Sequence, residues 1–416
     1  MTAICVSPRR FGVLLATLFA TGLASAGPYG YDIHNTLAPA SGGMAGTSLA
    51  RPQDLTSAVF GNPATLTQME GTKFSFGATF YQPEVDLTHD GSVTGTAFSQ
   101  KSGTEIFPVP NVAVTQDLSG LGVPATLGLG LTAISGIGAE FRSDPGSLGA
   151  GAELIIFGVN AGLGYALTDN LSLGAAATIS FAQLDMGLSS TSAETHDLGL
   201  RGTFGAAYGL GATTLGAFYQ TKLSQTYDNL IQTTATRFAS PTIEQPANIG
   251  FGIANQSLAG GDLLIAADFM YKFWDDAEFW QDVFDDQLVF SVGAQLSRGP
   301  WRYRLGYGYA DDPTDTDAAG PIGDLTQVYS NVGIIPLDQA VVPYIQATQA
   351  EVIYQHRLAA GIGYQGFLAP FIDLDAHLGW QFENDRDYGQ GSLAGGGHTH
   401  AEVHSWHVGF ALTWNF

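Results

Sequence analysis

Cysteine is nearly absent from this 416-residue chain, and its single example is Cys5, close to the N-terminus. Downstream of it neither a disulfide nor thiolate chemistry is available. Basic residues are also scarce, with 15 Lys and Arg against 38 Asp and Glu for a net charge of −23. That balance excludes nucleic acid as a partner, because phosphate contacts need cations. No apolar run after the N-terminus reaches the roughly eighteen residues of a helical membrane span. Also missing are G-x-S-x-G, H-E-x-x-H and Walker-type motifs and the EF-hand spacing with its glycine. His377 stands near Asp375 without a nucleophile. Neither an enzyme, a cofactor nor a bound metal is expected.

What is plentiful is glycine and aromatic residues, with 54 Gly, 25 Phe and 16 Tyr and only 13% charged residues. Such a composition suits many strands joined by tight turns. At the N-terminus, Arg9 and Arg10 precede an apolar run from Phe11 to Leu23 and then Ala24-Ser25-Ala26. This is the layout of a cleaved export signal, 1–26, whose removal leaves 390 residues and a charge of −25. Residues 27–71 do not alternate; they are rich in small and turn-forming residues, with a short helix expected near Gln53 to Phe60. Their Leu, Ile, Met and Phe content fits a compact segment filling a lumen better than a solvated arm.

From Thr72 the pattern changes to period two, the signature of strands with one apolar face. The last stretch states it most clearly: Trp406, Val408, Phe410, Leu412, Trp414 and Phe416 alternate with His407, Gly409, Ala411, Thr413 and Asn415. Fourteen strands are expected, at about 72–84, 104–118, 122–136, 152–167, 169–186, 195–209, 212–226, 245–256, 261–275, 286–298, 300–311, 350–365, 369–384 and 401–416. Connections alternate between short and long, the longest running from about Asp312 to Gln349. An even strand number, short turns on one side and long loops on the other predict an all-β fold, a 14-stranded antiparallel transmembrane β-barrel spanning 72–416. Charges on strands 11 and 13 fall on the inward face, away from lipid. An exported barrel belongs in the bacterial outer membrane, in contact with its lipid and lipopolysaccharide.

The chain resembles the FadL/TodX family of outer-membrane transporters for hydrophobic compounds over essentially its whole length after the signal. The carrying stretch is GGMAGTSLARPQDLTSAVFGNPATL, with Asn62-Pro63-Ala64 as the family's N-P-A element; Leu288 to Pro313 and Arg357 to Trp380 add to it. The resemblance implies that the segment 27–71 is a hatch plugging the barrel. It implies passive transport of a long-chain fatty acid, hydrocarbon or aromatic compound, by a monomer. It also implies a lateral exit at a kink in the third strand, for which Pro124, Gly128 and Gly130 are candidates; close packing of the hatch on these glycines is the other reading. A surface adhesin or phage receptor on the same barrel is the alternative function.

Arg302, Arg304 and Arg357 are candidate lumen contacts for a carboxylate, since guanidinium matches it bidentately. The competing reading pairs them with Asp268, Glu351, Asp373 or Asp375 in an internal charge network. Fatty-acid members of the family carry basic residues where the tenth strand begins, whereas here Phe284-Asp285-Asp286-Gln287 occupies that place. The stretch Phe273 to Asp286 alternates acids and aromatics and is expected to be an aromatic loop at the membrane interface. His398, His400, His404 and His407 cluster in sequence, but their spacing spans a loop and both strand faces.

Overall fold

The computed structural model describes residues 35–103, 105–189, 194–315, 317–349, 355–389 and 398–416. The expected export signal and Glu351 lie outside the described residues. Fourteen strands, here β1 to β14, form the barrel: Thr72–His89, Phe107–Asp117, Ala125–Glu140, Ala150–Ala166, Leu171–Leu188, Thr195–Leu210, Thr213–Gln220, Ala247–Leu258, Leu263–Phe273, Gln287–Arg298, Trp301–Ala310, His356–Tyr364, Ile372–Tyr388 and Thr399–Asn415. Each pairs antiparallel with its neighbours in sequence, and β1 pairs with β14 from Lys73↔Asn415 to His89↔Thr399, closing the sheet. Closure removes the unpaired edge that hydrocarbon would not tolerate.

Alternation decides which side each residue takes. Phe76, Phe80, Leu127, Leu129, Leu305, Leu378, Trp380, Val408 and Phe410 are among the large apolar residues left exposed on the outer face. Their neighbours one step away, such as Arg304, His377 and His407, are buried on the inner face. Trp301 and Tyr364 meet edge to face beside a short turn, and Phe74 lies against Trp414, so aromatics mark this end of the wall. No helix among the described residues is long and apolar enough to cross a membrane.

Strand length is uneven around the wall. β1, β3 to β6, β13 and β14 have 16 to 18 residues, well beyond the roughly 9–11 that a membrane requires. β7 to β12 have 8 to 12, and the largest loops rise from this lower side. One expected strand proves shorter: β7 stops at Gln220, and Leu223–Thr226 pairs instead with Thr242–Gln245 in a loop hairpin. The helix Val341–Gln349, buried at every position, packs against β3, β4, β13 and β14 from the inside of the long-loop end.

The loop Phe273 to Asp286 departs from its expected placement at the membrane interface. Trp274, Trp280 and Phe284 are at most 1% exposed and form a cluster, with Trp280 stacked on Phe284 at 5.4 Å and Trp274 edge-on to both. They belong to the apolar core that fills the long-loop end, together with Tyr227, Phe141 and Tyr344. Acids alternating with aromatics therefore mark a loop with a buried and a wet face of its own.

Candidate functional site

Residues 35–69 lie inside the barrel and are buried almost throughout. Their shape comes from local capping. Asp54 caps the helix Leu55–Phe60 by accepting from Ser57 N at 2.7 Å, while its other oxygen accepts from Ala40 N and Ser41 N at 3.0 and 2.7 Å. One carboxyl thus starts a helix and binds it to the turn before it. Asn62 caps the turn Pro63–Gln68 through Ala64 N at 3.1 Å, with Pro63 where a helix needs no N–H. The Asn62 amide donates to Leu49 O and to Ala206 O, both at 2.9 Å, and so ties the segment to itself and to β6. This is where Asn62, Pro63 and Ala64 sit.

The wall answers with glycine where backbone meets backbone. A Cβ at Gly205 would take the place of the Asn62 side-chain oxygen, and one at Gly306 would overlap the Met44–Ala45 peptide. Polar wall residues hold the remaining segment carbonyls and amides: Asp268 accepts from Ser48 N and Leu49 N at 2.6 and 2.9 Å, His377 Nδ1 lies 3.0 Å from Pro39 O, and Thr79 donates to Leu37 O at 2.8 Å. Asn160 donates to Val59 O. Residues 35–69 are thus tied by hydrogen bonds both to one another and to several strands of the wall.

Gly128 and Gly130 lie in an unbroken ladder between β2 and β4. Cβ atoms there would come within 2.7 Å of Leu66 and 2.9 Å of Phe60, so these glycines admit the inner segment against the wall. Pro124 is exposed in the short turn before β3. The irregularity in β3 falls higher up. Its register against β4 shifts between Ala133 and Ser135, making Ile134 an extra residue, and its ladder with β2 covers only Thr126–Leu131 against Asp117–Val112. β2 itself continues to pair with β1 up to Phe107. Above Leu131 the ladder between β2 and β3 is therefore missing, a bulge accompanying the loss of pairing. Gly103 N and the Ser102 hydroxyl rejoin β3 at Glu140, above the break.

Behind the break lies a cavity floored by Leu37, Thr56 and Phe60 of the inner segment and flanked by Ile134 of β3. Its far wall carries two cationic residues, Arg201 on β6 and Lys272 on β9. The three arginines expected from the sequence lie elsewhere. Arg304 is buried, pairs with Asp375 at 2.6 Å and donates to Gln295 at 2.6 Å. Arg302 donates to Gly299 O and Trp301 O, both at 2.9 Å, and to Gln365, at the short-turn end. Arg357 is buried over Gly308. Asp268 and Asp373 serve backbone amides, Ser48 and Leu49 for the first and Gly366 for the second. Sequence pattern does not single out Arg201; its height on the wall, where its guanidinium reaches Gln220 of β7, is a property of register.

The histidines do not converge. His398 and His400 share Asp387 at 3.0 and 2.8 Å, His404 lies 3.4 Å from Glu84, and His407 faces inward against His377. Among the described residues no group of three or more His, Cys, Asp or Glu is placed to hold a metal ion. In the long-loop end, burial and then the neighbouring carboxylates push Asp275 and Asp285 above the ordinary carboxylate range.

Residues 17–235, just over half the chain, match the model of the outer membrane protein transport family OMPP1/FadL/TodX. The chain belongs to that family. Its members are transport proteins of the outer membrane rather than enzymes. The toluene transporter TodX of Pseudomonas putida superposes with a TM-score of 0.65 at 16% identity, over 92% of this chain and 99% of that one. A FadL homologue of Pseudomonas aeruginosa gives 0.66 at 16%, over 91% and 98%, and the toluene transporter TbuX of Ralstonia pickettii 0.60 at 17%, over 92% and 99%. At such identities the likeness is one of fold. No curated protein sequence matches the chain.

Proposed function

We propose that this FadL/TodX-family protein carries apolar small molecules passively across the outer membrane, entering from the long-loop end and leaving sideways through the break between β2 and β3. The supporting observation is the coincidence of three features: residues 35–69 are buried within the barrel, a cavity lies directly on them, and the wall beside that cavity lacks its ladder above Leu131. An apolar solute gains nothing from an aqueous pore, whereas a wall opening at membrane depth releases it into hydrocarbon. In this reading the inner segment is a hatch that stays in place and directs cargo to the side, with the motif Asn62, Pro63 and Ala64 tying it to β6. The opening is bounded by Phe107–Asn111 and Thr132–Glu140. Ile134 is assigned the role of keeping it open, and Gly128 and Gly130 that of seating the hatch below it. The protein works as a monomer, because each barrel holds its own hatch, cavity and opening.

Deletion of Ile134 tests this. Ala133 already faces Phe157 and Ser135 faces Ile156, so removing the extra residue gives β3 a continuous register without turning later residues to the other face. Uptake of toluene into proteoliposomes is expected to fall at least tenfold while the barrel still folds. Unchanged uptake would sink the lateral route.

A further inference from the structure

Of the 18 prolines in the chain, only Pro83, Pro108 and Pro110 fall within the wall strands β1 to β14. All three stand beside the break. Hydrogen bonds at the foot of β2 show which way its backbone groups point: Asp117 N donates to Gly71 O, on the β1 side, at 2.9 Å, and Leu118 N donates to Ala125 O, on the β3 side, at 2.8 Å. Successive amides of a strand alternate between its two neighbours, so the even-numbered residues of β2 serve β3. Val112, opposite Leu131, is the last of them in the ladder. The next two are Pro110 and Pro108, and neither has an N–H to give. Continuing the register sets Pro110 opposite Ala133, one residue below the extra Ile134. The ladder therefore stops at the first proline, before the bulge is reached. On β1, Ser102 N donates to Val85 O at 2.8 Å, so the odd-numbered residues of that strand face β2 and the loop before it. Tyr81 pairs with Phe107 at the top of the β1–β2 ladder, and the next such position on β1 is Pro83.

Resting on the lateral exit proposed above, we infer that Pro108 and Pro110 hold that exit open by withholding from β2 the amides that would zip it to β3, and that Pro83 blunts the β1 edge above Tyr81 in the same way. An open strand edge is otherwise excluded from hydrocarbon, because an N–H there has no acceptor except the strand opposite. Amides at 108 and 110 would be captured by the facing carbonyls of β3, and the wall would close. Proline ends the pairing without ending the strand, as at the edge of a sheet. β2 keeps its place on β1 through Val109 and Phe107, whose amides point away from the break. Pro110 lies opposite Ala78 and Pro108 opposite the exposed Phe80, so both rings share the lipid-facing side, where Pro108 is exposed. A passing apolar solute thus meets proline rings and carbonyls on the β2 rim, and no donor. The prolines and Ile134 act at different heights: the prolines remove rungs from β2 directly above Leu131, and Ile134 resets the register of β3 against β4 above Ala133.

The double variant Pro108→Val, Pro110→Val of the full-length protein tests this through two readouts. One is nuclear Overhauser contact, in detergent micelles, between the amide introduced at position 110 and the backbone of Ala133; the other is toluene uptake into proteoliposomes. The contact is expected to appear and uptake to fall at least tenfold. Pro110→Ala alone should give the same contact and lower uptake at least threefold, since the N–H and not the side chain makes the rung. That variant carries the test if the double one does not fold, as judged by loss of heat-modifiable mobility. Pro108→Val alone should leave uptake within twofold of wild type, because the rung beneath it is still missing at Pro110. A folded double variant or Pro110→Ala without the contact would overturn the role given to the prolines, as would a Pro108→Val variant as impaired as the double one. The two readings separate: if the contact forms and uptake is unchanged, the prolines stand as the breakers of the ladder and the lateral route falls.

Discussion

Replacing Asp268 by alanine should loosen the proposed hatch without unfolding the barrel. One oxygen of this buried carboxyl accepts from two consecutive backbone amides, Ser48 N at 2.6 Å and Leu49 N at 2.9 Å. Those amides sit in a segment buried from Asn35 to Ala50, so water cannot take over as acceptor. Each orphaned buried donor costs about 1–3 kcal/mol, and losing both removes about 2–6 kcal/mol of hatch anchoring. Asp268→Asn keeps an acceptor oxygen and should lose less than half as much. The barrel ladder around Asp268, Gly252 on one side and Ser291 on the other, is made by backbone and survives. Hydrogen exchange at Ser48 and Leu49 should accelerate by at least tenfold in the alanine variant, and ion conductance in planar bilayers should rise. Amide protection and conductance equal to wild type, in a folded variant, would refute the view that the wall holds the hatch through this carboxyl.

Two further outcomes follow from charges placed elsewhere. Arg304→Met strands Asp375 in the wall and should lower barrel stability by about 3–5 kcal/mol, the usual cost of halving a buried pair; pairing it with Asp375→Leu should recover most of the loss, read by thermal unfolding in detergent. Asp275 and Asp285 are held above the ordinary carboxylate range by burial and then by neighbouring carboxylates, Asp286 first for Asp275 and Asp315 first for Asp285. A raised carboxyl pKa favours the protonated folded form, so the loop's stability is fully present below the ordinary value and is lost as pH rises through the raised one. The loop Trp274–Asp286 should therefore be better protected from acrylamide quenching of its tryptophans at mildly acidic pH than at neutral pH. The double variant Asp275→Asn, Asp285→Asn should flatten that dependence, and a persistent slope would disprove the assignment.

Much of the barrel could be read from residue pattern because period-two alternation is enforced by a hard physical boundary, lipid outside and the inner segment or water inside. Strand β14 shows it from Trp406 onward: Trp406, Val408, Phe410, Leu412 and Trp414 are outward and His407, Gly409 and Ala411 inward, as their spacing requires. Where that boundary ends, pattern stops informing. Leu223–Thr226 keeps alternating after β7 has ended, because a loop hairpin over an apolar core imposes the same period. Trp274 and Trp280 look interfacial in sequence for the same reason. The break at Ile134 was not legible at all: glycines attract attention as kink formers, yet Gly128 and Gly130 are small because Leu66 and Phe60 press on them. Nor does alternation say how high on the wall an inward charge lies, so pattern alone points to Arg302, Arg304 and Arg357 and not to Arg201 and Lys272, which line the cavity.

The extra residue in β3 also changes what a substitution means on either side of it. Leu131 and Ser135 share the same parity and stand four residues apart, yet Leu131 lies opposite Val159, on the outer face, and Ser135 lies opposite Ile156 and donates to Gln245 within the lumen. A lysine at 131 would be set in lipid; at 135 it would stand beside the cargo. Within a single strand, the rule that translates sequence position into environment is inverted, so relatives aligned across this point without the extra residue would exchange their membrane surface for their transport path.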